Sequence, residues 1–176
     1  MAPGARAARS GPAGRGSRLI GRAFVIRADG AARGNPGPAS AGAVLIDALR
    51  PDAFDPLARP DATVSEFLGV RTNNVAEYTG LVRALSLAVE LGATEVDLLL
   101  DSQLIVEQLM GRYRVRDAKL RPLFEDARAI LARLERWSAR HVPRAENSAA
   151  DALANEAIDR VLAGGPAVVI VRRPPR

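Results

Sequence analysis

The chain has 176 residues, enough for one domain with a hydrophobic core and some additional tail. It has no cysteine, which excludes disulfides and cysteine-ligated zinc and fits a reducing compartment, and its single histidine excludes a multi-histidine metal site. Any bound metal must therefore be held mainly by carboxylates, which favours hard ions such as magnesium or manganese. No uncharged apolar run reaches about 18 residues, so no membrane span is predicted.

The formal net charge of +5 comes from the two ends of the chain. Residues 1–19 carry four arginines and no acid, and residues 172–176 carry three arginines and no acid. The stretch between them has 18 basic and 20 acidic residues, a net charge of −2. Bulk charge is therefore weak evidence for nucleic-acid binding, which has to be argued from local clusters.

Composition divides the chain into three parts. Residues 1–19 consist largely of Ala, Gly, Arg, Ser and Pro, which predicts a disordered basic tail. They lack the apolar stretch of a secretory signal. An organellar transit peptide stays open because the segment is arginine-rich and acid-free, although its glycines and prolines disfavour an amphipathic helix. We expect a cytoplasmic protein with one domain over residues 20–163 and a C-terminal tail over 164–176.

The first half of the domain is predicted to be a run of strands. Apolar segments predict strands over Leu19–Ala28, Ala41–Asp47 and Thr63–Val70. Three glycines and two prolines make Gly30–Pro38 a turn, and three prolines with several charges make Leu49–Asp61 a loop.

The second half alternates helices and strands. Apolar residues at i, i+3 and i+4 predict a helix over Asn74–Leu91, with Asn73 or Asn74 as its cap. The elements that follow are the strand Glu95–Leu100, the helices Ser102–Met110 and Asp117–Leu134, the strand Arg136–Val142, the helix Asn147–Leu162 and a segment Ala167–Val171 that is either a short final strand or a docked tail. The three leading strands predict an antiparallel meander, and the later alternation of strands and helices predicts parallel additions. This order predicts an α/β fold with a mixed five-stranded sheet and helices on both faces.

Four acids stand at the ends of these elements. Asp29 and Asp101 each end a strand, whereas Glu77 and Asp151 each lie in the first turn of a helix. If the first and fourth strands are neighbours, Asp29 and Asp101 meet near the centre of the sheet. Such a cluster of negative charge repels itself unless a cation is bound, so the pattern predicts a metal site.

Each acid also has a simpler interpretation. An Asp before Gly, as at Asp29, is an ordinary turn former, and Asp101 before a serine could cap the next helix. Glu77 and Asp151 could be stabilised by the helix dipole alone. We favour the metal site because four such acids occur together with the stretches described next.

Four stretches, in this order, resemble the pattern of the type 1 ribonuclease H family: Asp29–Pro38, Thr72–Glu77, Asp101–Gln103 and Glu146–Asn155. The resemblance extends over about residues 20–162. It implies the ribonuclease H-like fold, which agrees with the element order.

The resemblance implies an endoribonuclease that hydrolyses the RNA strand of RNA–DNA hybrids and leaves 5′-phosphate and 3′-hydroxyl ends. Asp29, Glu77, Asp101 and Asp151 would hold two magnesium ions, with manganese as a substitute. A monomer is expected, with the hybrid as partner and double-stranded RNA left open as a second one. The alternative is a non-catalytic hybrid or double-stranded RNA binding module on the same fold, which would gain nothing from four carboxylates facing phosphates.

The resemblance also implies five groove-contacting residues, namely Gly30, Asn35, Asn73, Asn74 and Gln103. Short amides suit this role because they can both donate to and accept from a 2′-hydroxyl. The simpler interpretation of the adjacent asparagines is helix capping, which requires only one of them.

Two further features concern basic residues. Longer family members carry a basic protrusion, whereas this chain has a short connection, as in the protrusion-lacking branch. A cluster of basic residues there could bind phosphates, or simply be solvated: Arg112, Arg114, Arg116, Lys119 and Arg121. His141 precedes Asp151 by ten residues, the spacing of the family's product-release histidine, with Arg144 as an alternative for that role.

Overall fold

The computed structural model describes residues 21–174. The predicted tail over residues 1–19 lies outside this range, as do the first two residues of the first predicted strand and residues 175–176. The elements are β1 (Arg22–Ala32), β2 (Gly37–Asp47), β3 (Ala62–Arg71), α1 (Asn73–Glu90), β4 (Ala93–Leu100), α2 (Gln103–Leu109), α3 (Arg121–Leu131), β5 (Arg136–His141), a 3-10 helix (Arg144–Asn147), α4 (Ser148–Leu162) and β6 (Val168–Arg172).

These strands form one mixed sheet in the order β5-β4-β1-β2-β3-β6. The β1–β2–β3 meander is antiparallel, and β4 and β5 are added in parallel beside β1, as the element order predicted. The prediction of five strands is wrong, because Val168–Arg172 pairs antiparallel with β3 as a sixth strand. The sheet therefore extends past residue 163, where the domain was predicted to end.

Helices cover both faces of this sheet. Ala43 and Leu45 of β2 lie in a core with α1, α2 and α3. Between them Val44 faces the other way, as does Gly42, whose missing Cβ leaves room for the α4 backbone at Ala150. The arrangement of helices on both faces is confirmed.

The hairpin between β1 and β2 is tighter than predicted. The predicted turn Gly30–Pro38 shortens to residues 33–36, because β1 runs on to Ala32 and β2 starts at Gly37. The backbone N–H of Arg33 donates to the Pro38 carbonyl at 2.9 Å and closes the hairpin. Alanines and a glycine have low strand propensity, and pairing with β2 overrides it here.

Helix starts also differ from expectation. The side chain of Thr72, rather than Asn73 or Asn74, caps α1 by accepting from the Val75 N–H. Helix α3 starts at Arg121 rather than at Asp117, because Pro122 is tolerated only in a first helical turn. Neither asparagine of the pair is therefore used as the cap.

The β2–β3 connection is a folded loop over residues 48–61. Arg50 pairs with Asp52 at 2.7 Å and with Asp61 at 3.0 Å, and Ala53 is buried against the sheet face that carries Val25. In the described range, residues 21–174, no helix is both long and apolar enough to cross a membrane.

Candidate active site

Parallel pairing of β1 and β4 brings two of the predicted acids to one edge of the sheet. Arg27 pairs with Leu99, so Asp29 and Asp101 lie at equivalent positions, each two residues further along its strand. Asp29 is inside β1 rather than at its end, which removes its interpretation as a turn former. It is only 6% exposed, so its carboxylate is largely withdrawn from water.

Glu77 approaches this edge from α1. A Cβ on Gly30 would lie 2.2 Å from the backbone nitrogen of Glu77, so the missing side chain of Gly30 allows the helix to pack directly on β1. Because α1 begins at Asn73, Glu77 lies in the second turn rather than the first. Stabilisation by the helix dipole alone, which acts mainly on the first turn, therefore explains Glu77 poorly.

Asp151 approaches from the opposite face, in the first turn of α4. A Cβ on Gly42 would lie 2.2 Å from the carbonyl oxygen of Ala150, so this helix also packs directly on the sheet backbone. The carboxylate of Asp151 accepts from Asn155 at 3.2 Å and lies 3.7 Å from the guanidinium of Arg144.

The four carboxylates affect each other electrostatically. Burial, followed by the charge of Asp101, raises the pKa of Asp29 from 3.8 to about 8, and the charges of Asp151 and Glu77 act in the same direction. Burial and then Asp101 also raise the pKa of Glu77. The charges of the other acids thus act on Asp29 and Glu77, which places the four carboxylates at one acidic site.

Each carboxylate is also turned toward a donor of the protein itself. Asp29 accepts from the Gly30 N–H at 2.8 Å, Glu77 from the Asn73 amide at 3.0 Å, and Asp101 from the Asn147 amide at 3.0 Å. As they stand, no three acidic or histidine side chains among residues 21–174 are grouped closely enough to hold an ion. The oxygen donor set suits a hard divalent cation, but binding one would require the carboxylates to be drawn together.

The predicted groove residues surround this site. Asn35 accepts through its Oδ1 from the backbone N–H of Asn73 at 3.2 Å, which ties the β1–β2 turn to the start of α1. Asn74 and Gln103 are exposed. Gly30 is buried against α1 and has a clear packing role, so its predicted contact with nucleic acid stays a prediction, as do the contacts of the four amides.

His141 and Arg144 lie next to different acids of the site. His141 ends β5 and is exposed, with its Nε2 3.2 Å from the backbone oxygen of Asp101. Arg144 is 82% exposed and nearer to Asp151. Although His141 precedes Asp151 by ten residues, its contact in the structure is with Asp101. Its catalytic role stays a prediction.

The arginines of the α2–α3 connection are not equivalent. Arg112 makes a two-pronged ion pair with Glu107, with nitrogen–oxygen distances of 2.5 and 2.9 Å. Arg114 and Arg116 are exposed, and no ion pair is formed by either within residues 21–174. Of these three arginines, only Arg114 and Arg116 therefore have guanidinium groups available for phosphates.

Sequence reasoning gave no role to two residues that contact the acids. Asn147 contacts Asp101, and Ser102 hydrogen-bonds Glu77 while also capping α2 through the Ile105 N–H. Because Ser102 is the cap, Asp101 is not. Asn147 lies in the stretch Glu146–Asn155, which resembles the family pattern and contains Asp151. That position in the sequence could have indicated a role at the site.

The sheet order and the four carboxylates that face one end of β1 and β4 together define a ribonuclease H-like domain. A sequence profile of the family described as "Reverse transcriptase-like" matches residues 27–157. The chain belongs to the type 1 ribonuclease H family within that group. The 11-residue connection between α2 and α3 contains no further helix, as expected of the protrusion-lacking branch.

Several known proteins are similar to this chain. The bifunctional protein Rv2228c of Mycobacterium tuberculosis is 46% identical over 135 residues, and ribonuclease HI of Halobacterium salinarum is 44% identical over 131 residues. These alignments cover 77% and 74% of this chain, but only 35% and 62% of the two relatives. A crystal structure of LC11-RNase H1 in complex with RNA/DNA hybrid is 38% identical, with a TM-score of 0.70, and covers 79% of this chain and 99% of that one.

Proposed function

We propose that the protein hydrolyses the RNA strand of RNA–DNA hybrids in a reaction that depends on divalent cations. The observation that carries this proposal is the convergence of Asp29, Glu77, Asp101 and Asp151 from four separate elements at one edge of the sheet. The hybrid seen bound to LC11-RNase H1, which has the same fold at 38% identity, supports the choice of substrate.

The same four carboxylates are the proposed metal ligands. Two magnesium ions, or manganese in their place, would supply an activated water and stabilise the leaving 3′ oxygen, giving 5′-phosphate and 3′-hydroxyl ends. Raised pKa values for Asp29 and Glu77 support this assignment, because a cation relieves the repulsion that raises them.

Amide side chains next to the carboxylates would hold the substrate. Asn35 and Asn73 are linked to each other and adjoin Glu77 through the Asn73 amide, while Asn74 and Gln103 are exposed. Because Thr72 caps α1, Asn73 and Asn74 are not needed for capping and can contact the 2′-hydroxyls of an RNA strand.

A panel of substrates tests the proposal. End-labelled RNA of one sequence is incubated with the protein as a hybrid with DNA, as duplex RNA and as a single strand, next to duplex DNA of that sequence. We expect rapid cleavage of the hybrid RNA strand with magnesium and intact duplex DNA. Binding of the hybrid without cleavage, at every magnesium and manganese concentration, would favour the non-catalytic binding module.

The arginine connection gives a first prediction. Changing Arg114 and Arg116 together to alanine should raise KM for the hybrid several-fold and flatten its salt dependence, with kcat nearly unchanged, because phosphate contacts act mainly on binding. Changing Arg112 should have less effect, since Glu107 already neutralises its charge. The measurement is KM at several salt concentrations. Equal effects of Arg112→Ala and Arg114→Ala/Arg116→Ala would contradict it.

A further inference from the structure

Asn147 is a buried amide at the junction of the acidic site. It ends the short 3-10 helix and directly precedes α4, and its side chain is wholly inaccessible to solvent. Its Nδ2 donates at 3.0 Å to the backbone carbonyl of Ala28 and at 3.0 Å to the Oδ1 of Asp101. One side chain thus joins β1, immediately before Asp29, to the carboxylate that follows β4.

Helix capping does not explain this residue. Asparagine is a preferred residue at the start of a helix because its side-chain oxygen accepts from a backbone N–H of the first turn. Asn147 occupies that position in α4, yet it makes no such bond. Its amide group is directed toward the acidic site instead.

The orientation of the amide is determined by its neighbours. Both hydrogens of Nδ2 point at acceptors, whereas the Oδ1 is buried and without a hydrogen-bond partner among residues 21–174. Rotating the amide by half a turn would place that oxygen against a carbonyl and a carboxylate, both of which repel it. An unsatisfied buried oxygen is ordinarily costly, yet the amide keeps the orientation in which its donor meets both acceptors.

We propose that Asn147 is a positioning residue that orients the Asp101 carboxylate and fixes its separation from Asp29. A charge-assisted bond to Asp101 sets the direction of its second oxygen, and the bond to Ala28 holds β1 at the same point. Because α4 begins at the next residue, Asn147 also couples this pair to Asp151. This inference rests on the proposed metal-dependent function.

The test compares Asn147→Ala with Ser40→Ala. Ser40 is equally buried and donates to the Ala154 carbonyl, so its removal also weakens the packing of α4 but touches none of the four acids. Three quantities are measured: the melting temperature without metal, the affinity for manganese by calorimetry without substrate, and kcat and KM on the hybrid.

For Asn147→Ala we expect manganese affinity and kcat to fall about 10–100-fold, the range typical of residues that orient metal ligands, with KM nearly unchanged. Ser40→Ala should lower the melting temperature while keeping both manganese affinity and kcat. If Asn147→Ala does not fold, Asn147→Ser, which retains one donor, replaces it and should show a smaller loss of the same kind.

Wild-type manganese affinity in the Asn147 variant, or an equal loss of affinity in Ser40→Ala, would overturn the proposal. The calorimetric result does not depend on nuclease activity. If manganese affinity falls in Asn147→Ala but the wild-type protein cuts no hybrid, the proposed function fails and the positioning role stands. If hybrid is cut equally well with and without Asn147, the positioning role fails alone.

Discussion

Replacing Asp29 by asparagine is expected to lower hybrid cleavage by roughly three orders of magnitude or more, while making the metal-free protein more stable. Asparagine keeps the shape of the side chain but removes the charge that the proposed metal ligands share. Asp29 is 6% exposed and its pKa is raised by burial and by three neighbouring carboxylates, so its ionised form opposes folding when no cation is present.

The gain in stability should depend on pH. The pKa of Asp29 is about 8 in the folded protein and near 3.8 in the unfolded chain. The folded state therefore retains this proton longer than the unfolded state does, and wild-type stability falls as pH rises from about 4 to about 8. Asparagine does not titrate, so the advantage of Asp29→Asn should be small at pH 5 and largest at pH 9.

Thermal unfolding in chelator at pH 5 and pH 9 measures this gain in stability. For a chain of this size, 1 kcal/mol of stability corresponds to a shift of about 2–4 °C in melting temperature. Asp97→Asn is the matched control, because Asp97 lies on β4 four residues before Asp101 and bonds Ser138 instead. It should keep activity and show no such pH-dependent gain. Near-normal cleavage by Asp29→Asn at saturating magnesium would rule out the carboxylate assignment.

Gly30→Ala is expected to impair stability and cleavage together. The added Cβ would lie 2.2 Å from the backbone nitrogen of Glu77 and 2.3 Å from the carbonyl carbon of Ala76, so α1 would have to move away from β1. Overpacking against backbone costs about 1–3 kcal/mol, occasionally more. Since Glu77 is carried by the displaced turn, kcat should fall well beyond any loss of folded protein.

Gly42→Ala should act in the same way on α4, where the added Cβ would lie 2.2 Å from the Ala150 carbonyl, one residue before Asp151. Gly111→Ala is the control, since open space surrounds this position and only its positive φ of 78° is unfavourable. The free energy of unfolding of Gly111→Ala should fall by about 1 kcal/mol, and its kcat should be unchanged. Chemical denaturation measures the free energy of unfolding, and single-turnover cleavage measures the catalytic rate. An unchanged rate in Gly30→Ala and Gly42→Ala would show that packing at these glycines does not position the acids.

Much of the architecture could be predicted from periodicity and element order. The meander and the parallel addition of β4 follow from strand and helix signals, whereas the meeting of Asp29 and Asp101 was conditional on the first and fourth strands being neighbours, as they are. The sixth strand was ambiguous because Val168–Arg172 is short and apolar, and whether such a segment pairs depends on the free edge of β3, which lies about a hundred residues earlier.

Long-range contacts also explain what was missed at the site. Thr72 caps α1, while the Asn73 amide donates to Glu77; Asn147 stands at the start of α4, but its amide donates to Ala28 and Asp101. The capping preference of asparagine predicts neither of these contacts with the acids. The electrostatic demand of the carboxylates overrides that preference, and that demand is visible only once the strands are paired.

The most direct test of the central claim is the fate of a hybrid whose RNA strand carries a 5′ label, incubated with the full chain in magnesium and, in parallel, in excess chelator. We expect internal cleavage with magnesium, products bearing 5′-phosphate and 3′-hydroxyl ends by mass spectrometry, and no cleavage in chelator. Equal cleavage in chelator, or products with 2′,3′-cyclic phosphate ends, would contradict it.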